Sequence, residues 1–338
     1  MAIDQPDPSM SEAEAEARMA ARRDDILATL AKADHRMLAR DFRGAAAFYS
    51  AVGRMAGSGI PIDRSELLRA RDAAVWLENQ FGVMLREGLV KAGFGEGKRH
   101  PRFQKALDIM AGRRQRDPVY DRFPQLPQTY FHPDLPLVHF ADTSQFAWRE
   151  AVEAATPAIL EEARALLADD GTFRPYMQST SERPQGDVHG LLDNPDWSTY
   201  YLTDKGLPMP DRVAGSPRTF AAIDGNVPLC RISNRAPSIM FSLLRPHSKI
   251  PPHTGMVNCR FICHLPLIVP PHCGFRVAAE TREWRFGELL VFDDSVEHEA
   301  WNNSDEDRLV LIFDVWRPEV SEEERQQIET LFRVVDSY

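Results

Sequence analysis

Three residues in the C-terminal third of the sequence have the types and spacing of a metal site. His253 stands in the segment HTG, His298 stands in the segment EHE, and Arg308 follows on the next predicted strand. Two neutral imidazoles suit iron, zinc, copper or nickel. Non-haem iron(II) oxygenases use two histidines and one carboxylate, which leaves positions for a co-substrate and oxygen. The carboxylate normally comes two residues after the first histidine, where this chain has Gly255.

Alternation along two predicted strands places the polar candidates on common faces. On an extended strand, alternate side chains share a face. This alternation puts Arg308 on a face with Val310 and Ile312. An arginine among apolar residues needs an anionic partner, and a dicarboxylate held by a bidentate fork would supply one. In the segment Asn258–Leu265 the residues that share the polar face are Asn258, Arg260, Ile262 and His264.

Each of these signals has a plainer interpretation. A pair of distant histidines can be structural or surface residues, and Arg308 could be a solvated charge beside Asp305 and Asp307. A structural zinc site is a further alternative, disfavoured because the chain has no CxxC pair and alternation separates the thiols from the histidine on the strand. Its candidate ligands would be Cys259, Cys263, His264, His272 and Cys273.

Acidic residues before the second histidine have two interpretations. Asp293, Asp294 or Glu297 could orient the imidazoles by accepting a hydrogen bond from a ring nitrogen. Asp293 and Asp294 could equally form a turn at the end of a strand. The sequence leaves both interpretations open.

The composition is that of a globular protein with an ordinary core. The chain has 338 residues, of which 43% are hydrophobic and 27% charged, and its net charge of −10 argues against nucleic acid or an anionic membrane as the main partner. Four cysteines are too few for a disulfide scaffold, so we expect free thiols. No apolar run approaches membrane-spanning length and the N-terminal sequence is acidic, so we expect a cytoplasmic protein.

Helical signals dominate the first part of the chain. The segment Ala28–Ala56 could form one tetratricopeptide-like hairpin, but a solenoid needs several repeats, so a plain helical bundle is favoured. This region could bind a protein partner or mediate self-association. Capping boxes, apolar periodicity and Gly/Pro stops predict helices over residues 11–33, Arg43–Ala56 and from Asp63 toward Lys91.

The second part of the chain has the pattern of an antiparallel β unit, a sandwich or jelly roll. A proline-rich stretch, Phe123–Pro136, precedes it, so we predict a helical region over residues 1–130 and a second domain over residues 131–338. The fold class is α+β, and further helices are expected from Thr156 and from Ser321. Predicted strands are Thr199–Leu202, Ile239–Leu244, Cys259–Leu265, Leu289–Phe292 and Leu309–Trp316.

The order of these residues resembles the aspartyl/asparaginyl β-hydroxylase family. The resemblance rests on SLLRPHSKIPPHTGMVNCRFICHLPL and FDDSVEHEAWNNSDEDRLVLIFDVWRPE, in which the HTG, EHEAWN and DVWRPE blocks form a specific set. It is strong over about Pro228–Pro318 and extends back to about Leu135, and it does not cover the helical first third. The family implies a double-stranded β-helix, the jelly-roll core of cupin-like oxygenases that depend on Fe(II) and 2-oxoglutarate.

The resemblance also implies roles for five residues. His253 and His298 match the positions that bind iron. Arg308 and Ser242 match those that hold the distal carboxylate of 2-oxoglutarate. His264 matches the residue that approaches the carboxylate chelating the metal. Together they form the predicted catalytic and cofactor-binding set.

Four further positions bear on the metal and the substrate. Gly255 matches the branch of the family that lacks the metal-binding carboxylate. Arg260 and Trp197 are candidates for substrate contact. The peptide-hydroxylating members carry a second arginine where this chain has Ile262, so peptidyl aspartate is a poor match. A free amino acid, a small acid or a cytosolic peptide is the more plausible substrate.

The resemblance implies hydroxylation of an unactivated C–H bond, with 2-oxoglutarate converted to succinate and CO2. Two alternatives stay open. The position left free by Gly255 could hold a halide, as in radical halogenation. The protein could also be a non-catalytic, cupin-like metal- or acid-binding module whose helical region recruits a partner. Turnover of 2-oxoglutarate separates the enzymes from the binding module.

Overall fold

The structure is a computed structural model that describes residues 6–169, 171–184 and 190–338. Its helices are α1 Glu12–Ala21, α2 Ile26–Leu38, α3 Phe42–Gly57, α4 Arg64–Lys91, α5 Pro101–Met110, α6 Arg149–Ala154, α7 Thr156–Leu167, α8 Pro210–Gly215, α9 Pro217–Ile223 and α10 Glu322–Asp336. Its strands are β1 Arg174–Pro175, β2 Trp197–Asp204, β3 Leu207–Pro208, β4 Ile239–Leu244, β5 Ser248–His253, β6 Arg260–Ile268, β7 Cys273–Val277, β8 Glu280–Arg282, β9 Leu290–Phe292, β10 His298–Asn302 and β11 Arg308–Trp316.

The described residues form two compact units. The first contains residues 6–95, 178–184 and 334–338, and the second contains residues 96–177 and 190–333 apart from residue 170. Residues 96–130 therefore group with the β-rich unit, and the division at residue 130 stays a prediction about domains. Among the described residues, no helix combines the length and the hydrophobicity that a membrane span requires.

The first unit is a helical bundle built on three helices. Side chains of α2, α3 and α4 share one core, which includes Leu30, Phe48 and Leu77. The prediction of a single helix over residues 11–33 was wrong, because α1 ends at Ala21 and a second helix begins after the N-cap residue Asp25. The Asp25 carboxylate accepts a hydrogen bond from the Ala28 N–H at 3.1 Å, and it contributes more as an N-cap than it could inside a helix.

The second unit contains two antiparallel sheets. The larger has the strand order β1-β2-β4-β11-β6-β9, with β3 paired to β2, and the smaller has the order β5-β10-β7-β8. The predicted strand Ile239–Leu244 is found with those bounds, and the other four predicted strands each overlap a strand of the larger sheet. The α+β class with a jelly-roll, cupin-like core is confirmed.

The faces of the larger sheet separate as the alternation predicts. Cys263, Leu311 and Phe313 pack in one core with Ile159 and Ala163 of α7. The opposite face packs against the smaller sheet, in a core that the two sheets share. That second core includes Leu244, Ile250, Phe275, Phe292, Ala300 and Val310. Polar side chains on this second face therefore lie between the sheets, where water is largely excluded.

Candidate active site

The two candidate metal ligands face each other across a strand pair. β5 ends at His253, β10 begins at His298, and the antiparallel register sets these residues directly opposite each other. Their ring centroids lie 4.1 Å apart. Each Nδ1 lies beside a backbone carbonyl oxygen two residues earlier, that of Pro251 at 2.8 Å and that of Val296 at 2.9 Å.

These hydrogen bonds fix the tautomer of both rings. A carbonyl oxygen can only accept, so Nδ1 must carry the proton and Nε2 must carry the lone pair. Burial lowers the pKa of His253, and burial together with the cost of protonating two adjacent rings lowers the pKa of His298 to about 3. Both imidazoles are therefore neutral at pH 7, as a metal ligand must be.

The chemistry of this donor set fits a divalent iron ion. The orienting partners are backbone carbonyls, so the interpretation in which Asp293, Asp294 or Glu297 orients the imidazoles was wrong. Among the described residues, no group of three or more His, Cys, Asp or Glu side chains could form a metal site made of protein ligands alone. The four cysteines are free and buried, and the zinc alternative has no support in the described part of the chain. Two imidazoles leave several coordination positions for a bidentate acid and oxygen.

Gly255 is explained by the carboxylate that lies next to it. A Cβ built on Gly255 would overlap the carboxylate of Asp294, and the Gly255 N–H donates to the Asp294 carbonyl oxygen at 2.6 Å. Asp294 is buried, and one of its carboxylate oxygens accepts from Arg260 at 3.0 Å. A side chain at position 255 would displace this buried ion pair, so the local packing requires glycine there.

Arg308 is a buried cation with no protein carboxylate beside it in the described part of the chain. Its side chain is 1% exposed, and its Nη1 donates to the Ser242 carbonyl oxygen at 3.4 Å. Its guanidinium carbon lies 4.9 Å from the Trp284 ring centroid. Among the described residues its Nε has no hydrogen-bond partner. Burial lowers the pKa of Arg308 to about 10, which still leaves it protonated at pH 7.

Ser242 and His264 complete a polar surface around this cation. The Ser242 hydroxyl accepts from the Trp197 indole N–H at 3.2 Å, so its own proton is available to a ligand. The His264 Nδ1 is buried with no partner in the part of the chain that the structure describes. Burial and the charge of Arg308 hold the pKa of His264 well below its usual range. These unsatisfied groups fit a buried acid ligand, because an orphaned buried polar atom is costly.

Aromatic rings connect the acid-binding residues to the histidine pair. The His264 ring centroid lies 5.0 Å from that of Phe275 and 4.9 Å from that of Phe292. The His298 ring centroid lies 6.1 Å and 5.3 Å from the same two rings. The structure thus brings all five residues predicted for iron and 2-oxoglutarate to one region between the sheets.

The two substrate candidates have different surroundings. Trp197 lies beside the histidine pair, 6.2 Å from the His253 ring centroid, and stacks on Tyr176 at 4.0 Å. Arg260 instead forms ion pairs with Asp294 at 3.0 Å and with Asp314 at 2.9 Å. Burial opposes its charge, but the two carboxylates raise the pKa of Arg260 further than burial lowers it.

The proline-rich stretch Phe123–Pro136, which the sequence indicated only as a boundary, contacts both ligand-bearing turns. The Gln128 N–H donates to the Gly255 carbonyl oxygen at 3.0 Å, and the Leu126 N–H donates to the Ser295 carbonyl oxygen at 2.7 Å. The Gln125 amide donates to Asp293 at 2.6 Å. The segment therefore connects the turn after His253 to the turn before His298. Its prolines gave it the pattern of a linker, which hid this role.

Comparison with known proteins finds a matching family model and several sequence relatives. The sequence model described as Aspartyl/Asparaginyl beta-hydroxylase matches residues 153–318. Over 141 residues the chain is 37% identical to Aspartyl/asparaginyl beta-hydroxylase of Mus musculus, covering 41% of this chain and 18% of that protein. Over 212 residues it is 31% identical to Aspartate beta-hydroxylase domain-containing protein 2 of Xenopus tropicalis, covering 62% and 55%.

A bacterial relative is named as an acyl hydroxylase. Ornithine lipid ester-linked acyl 2-hydroxylase of Rhizobium tropici is 32% identical over 180 residues, covering 52% of this chain and 60% of that protein. Among solved structures, a cupin 2 conserved barrel domain protein from Salinispora arenicola aligns with 42% of this chain and 85% of its own, at 10% identity and a TM-score of 0.24. The chain spans at most 60% of the length of these three sequence relatives. Residues 153–318 of the chain therefore match the aspartyl/asparaginyl β-hydroxylase family, and the hydroxylase names of these relatives support that match.

Proposed function

We propose that this protein is an Fe(II)- and 2-oxoglutarate-dependent dioxygenase. It would hydroxylate an unactivated C–H bond of an amino acid, a small acid or an Asp/Asn-containing peptide, releasing succinate and CO2. One observation carries the proposal: Arg308 is a buried cation without a carboxylate partner among the described residues, in the same inter-sheet region as two neutral histidines. That combination suits a dicarboxylate that bridges the arginine and a metal.

Residues of the protein would orient both the metal and 2-oxoglutarate. Bound iron with 2-oxoglutarate would supply the oxidising chemistry for the C–H bond. His253 and His298 would hold the metal through Nε2, while backbone carbonyls keep the rings in place. Arg308 and the Ser242 hydroxyl would bind the distal carboxylate, and His264 would face the carboxylate at the metal. The neighbouring phenylalanine rings would keep water away from the bound acid.

Positions 260 and 262, the two that the resemblance links to substrate charge, carry no uncompensated cation. Two carboxylates already balance Arg260, and Ile262, two residues before His264 on β6, is apolar. A substrate whose reacting carbon bears a carboxylate would therefore gain less binding free energy at these positions than a substrate with a neutral or apolar carbon chain. The name of the Rhizobium tropici relative refers to an acyl chain, so acyl substrates join amino acids and peptides in the test panel.

Conversion of 2-oxoglutarate to succinate in the absence of a substrate is the first expected result. The purified protein with Fe(II), 2-oxoglutarate and oxygen should form succinate slowly without any substrate, and faster with a true substrate. Succinate is measured by mass spectrometry of reactions with isotopically labelled 2-oxoglutarate, with heat-denatured protein as the blank. A folded, iron-loaded protein that makes no succinate with any member of the panel would favour the non-catalytic binding module.

Halogenation is disfavoured by the carboxylate beside Gly255. A halide bound at that position would meet the buried Asp294 side chain, whose charge repels anions. We expect only hydroxylated product when turnover is run in chloride or bromide buffer and analysed by product mass. Bromide seen at the metal by anomalous scattering, or a brominated product, would replace hydroxylation with halogen transfer and leave the assigned ligands unchanged.

A further inference from the structure

The longest helix of the first unit has an exposed apolar stripe along one face. Four aliphatic side chains of α4 are far more exposed than a packed helix face allows: Leu68 at 49%, Val75 at 57%, Val83 at 37% and Val90 at 58%. At about 3.6 residues per turn they lie within a narrow sector centred on Asn79, which is also exposed. Asp72 and Arg86 lie in the same sector, so this stripe, about 33 Å long, combines aliphatic side chains with one acid and one base, and we expect a partner to cover it.

The stripe is symmetric about Asn79. Leu68 and Val90 lie equally far from Asn79 along the helix, on opposite sides of it, and so do Val75 and Val83. If a second α4 runs antiparallel about a two-fold axis through Asn79, Leu68 meets Val90 of the partner subunit and Val75 meets the partner's Val83. Leu68, Asn79 and Val90 repeat at a spacing close to a whole number of turns of a straight helix, so neither helix needs to supercoil.

The charges along the stripe are complementary under the same symmetry. Asp72 lies opposite the partner's Arg86, and Arg71 lies opposite the partner's Glu87. All four side chains are exposed, and none of them forms an ion pair within the residues that the structure describes. A parallel, in-register pair would instead bring Asp72 against Asp72 and Arg86 against Arg86, which is repulsive.

We infer that α4 is a self-association surface through which a second copy of this chain binds antiparallel, about a two-fold axis at Asn79. Isologous contacts of this kind are the commonest way in which proteins form homodimers. The stripe presents four aliphatic side chains per copy, so the interface is small and the dimer is concentration-dependent rather than permanent. The inference does not depend on the proposed catalytic activity.

Sedimentation velocity of the full chain over a concentration series tests the association. The mass should rise from the 38.3 kDa of one chain toward twice that value as concentration increases. The double variant Val75→Glu/Val83→Glu should stay monomeric at every concentration. Leu27→Glu is the matched control, since Leu27 is exposed on α2 and an acid is tolerated in the first turn of a helix. A wild-type chain that stays at 38.3 kDa throughout overturns the inference.

Charge reversal tests the antiparallel register. Asp72→Arg or Arg86→Asp alone should weaken the dimer at least about tenfold, because each creates like-charge contacts on both sides of the axis. The double variant Asp72→Arg/Arg86→Asp restores opposite charges and should regain most of the affinity. Circular dichroism confirms that each variant is folded. If the single reversals leave the dimer affinity unchanged, or the double reversal does not restore it, the proposed pairing is overturned.

Cysteine cross-linking tests the same register directly. Val75→Cys and Val83→Cys chains mixed in equal amounts should form an intermolecular disulfide under mild copper-catalysed air oxidation, whereas neither variant should cross-link alone. The native cysteines contribute little background because Cys230, Cys259, Cys263 and Cys273 are all buried. Cross-linking of Val75→Cys with itself would indicate a parallel arrangement and overturn the inference.

Discussion

His298→Ala is expected to abolish substrate-dependent turnover and to weaken iron binding by more than roughly a hundredfold. Loss of an orienting partner of a metal ligand already costs about 10- to 100-fold in metal affinity, and loss of one of two protein ligands costs more. The same holds for His253→Ala. Metal affinity is measured by anaerobic titration with Fe(II), or with Co(II) as a spectroscopic substitute, so the result does not depend on activity.

His247→Ala is the matched control for both histidine variants. His247 is exposed, and its Nε2 contacts Asp305, at 3.0 Å, at the end of the strands away from the pair. This variant should keep wild-type metal affinity and turnover. If His253→Ala and His298→Ala also kept wild-type iron affinity while folded, the metal would have to bind elsewhere in the protein.

Arg308→Ala is expected to raise the KM for 2-oxoglutarate at least about 30-fold with little change in iron affinity. A buried charge-assisted pair is worth about 2–5 kcal/mol to binding, which corresponds to that factor or more. Because Arg308 has no carboxylate partner among the described residues, the substitution should not reduce stability as the loss of an ion pair would. Steady-state succinate formation and thermal denaturation measure the two quantities.

Two variants distinguish bidentate binding by the Arg308 guanidinium from simple charge attraction. Arg308→Lys keeps a cation but loses the bidentate geometry, so it should recover only part of the 2-oxoglutarate affinity. Arg245→Ala removes a half-exposed arginine near the same strand end, paired with Asp307 at 2.7 Å, and should change nothing. An unchanged KM in Arg308→Ala would assign Arg308 a structural role.

The sequence predicted the strands best where burial alone decides the pattern. β4 has an entirely apolar run apart from Ser242, and its predicted and observed bounds agree. β5 was missed because Pro251 and Pro252 argue against a strand. β7 was missed because a short run interrupted by Gly274 gives too weak a pattern.

The residues of the candidate metal and acid sites could be singled out because they lie in short, specific motifs. The buried network beside them could not. Asp294 and Gly255 are far apart in the chain, and nothing local to either shows that the carboxylate of one fills the space beside the other. Arg260 was likewise predicted as a substrate contact from its position, whereas its partners Asp294 and Asp314 come from two other segments. Such contacts are set by tertiary packing, which a single sequence does not display.

The strand that carries His253 is also an open edge of the smaller sheet. β5 pairs only with β10 in the described part of the chain, so its outer side faces no other strand. Edge strands can recruit further chains and so promote aggregation, but a proline has no N–H to offer an incoming strand. Pro251 and Pro252 immediately precede His253. Because successive N–H groups of a strand point to opposite sides, one of these two prolines removes a donor from the open edge. The sheet edge that carries His253 is thereby a poorer template for an added strand, whether or not a ligand is bound beside it.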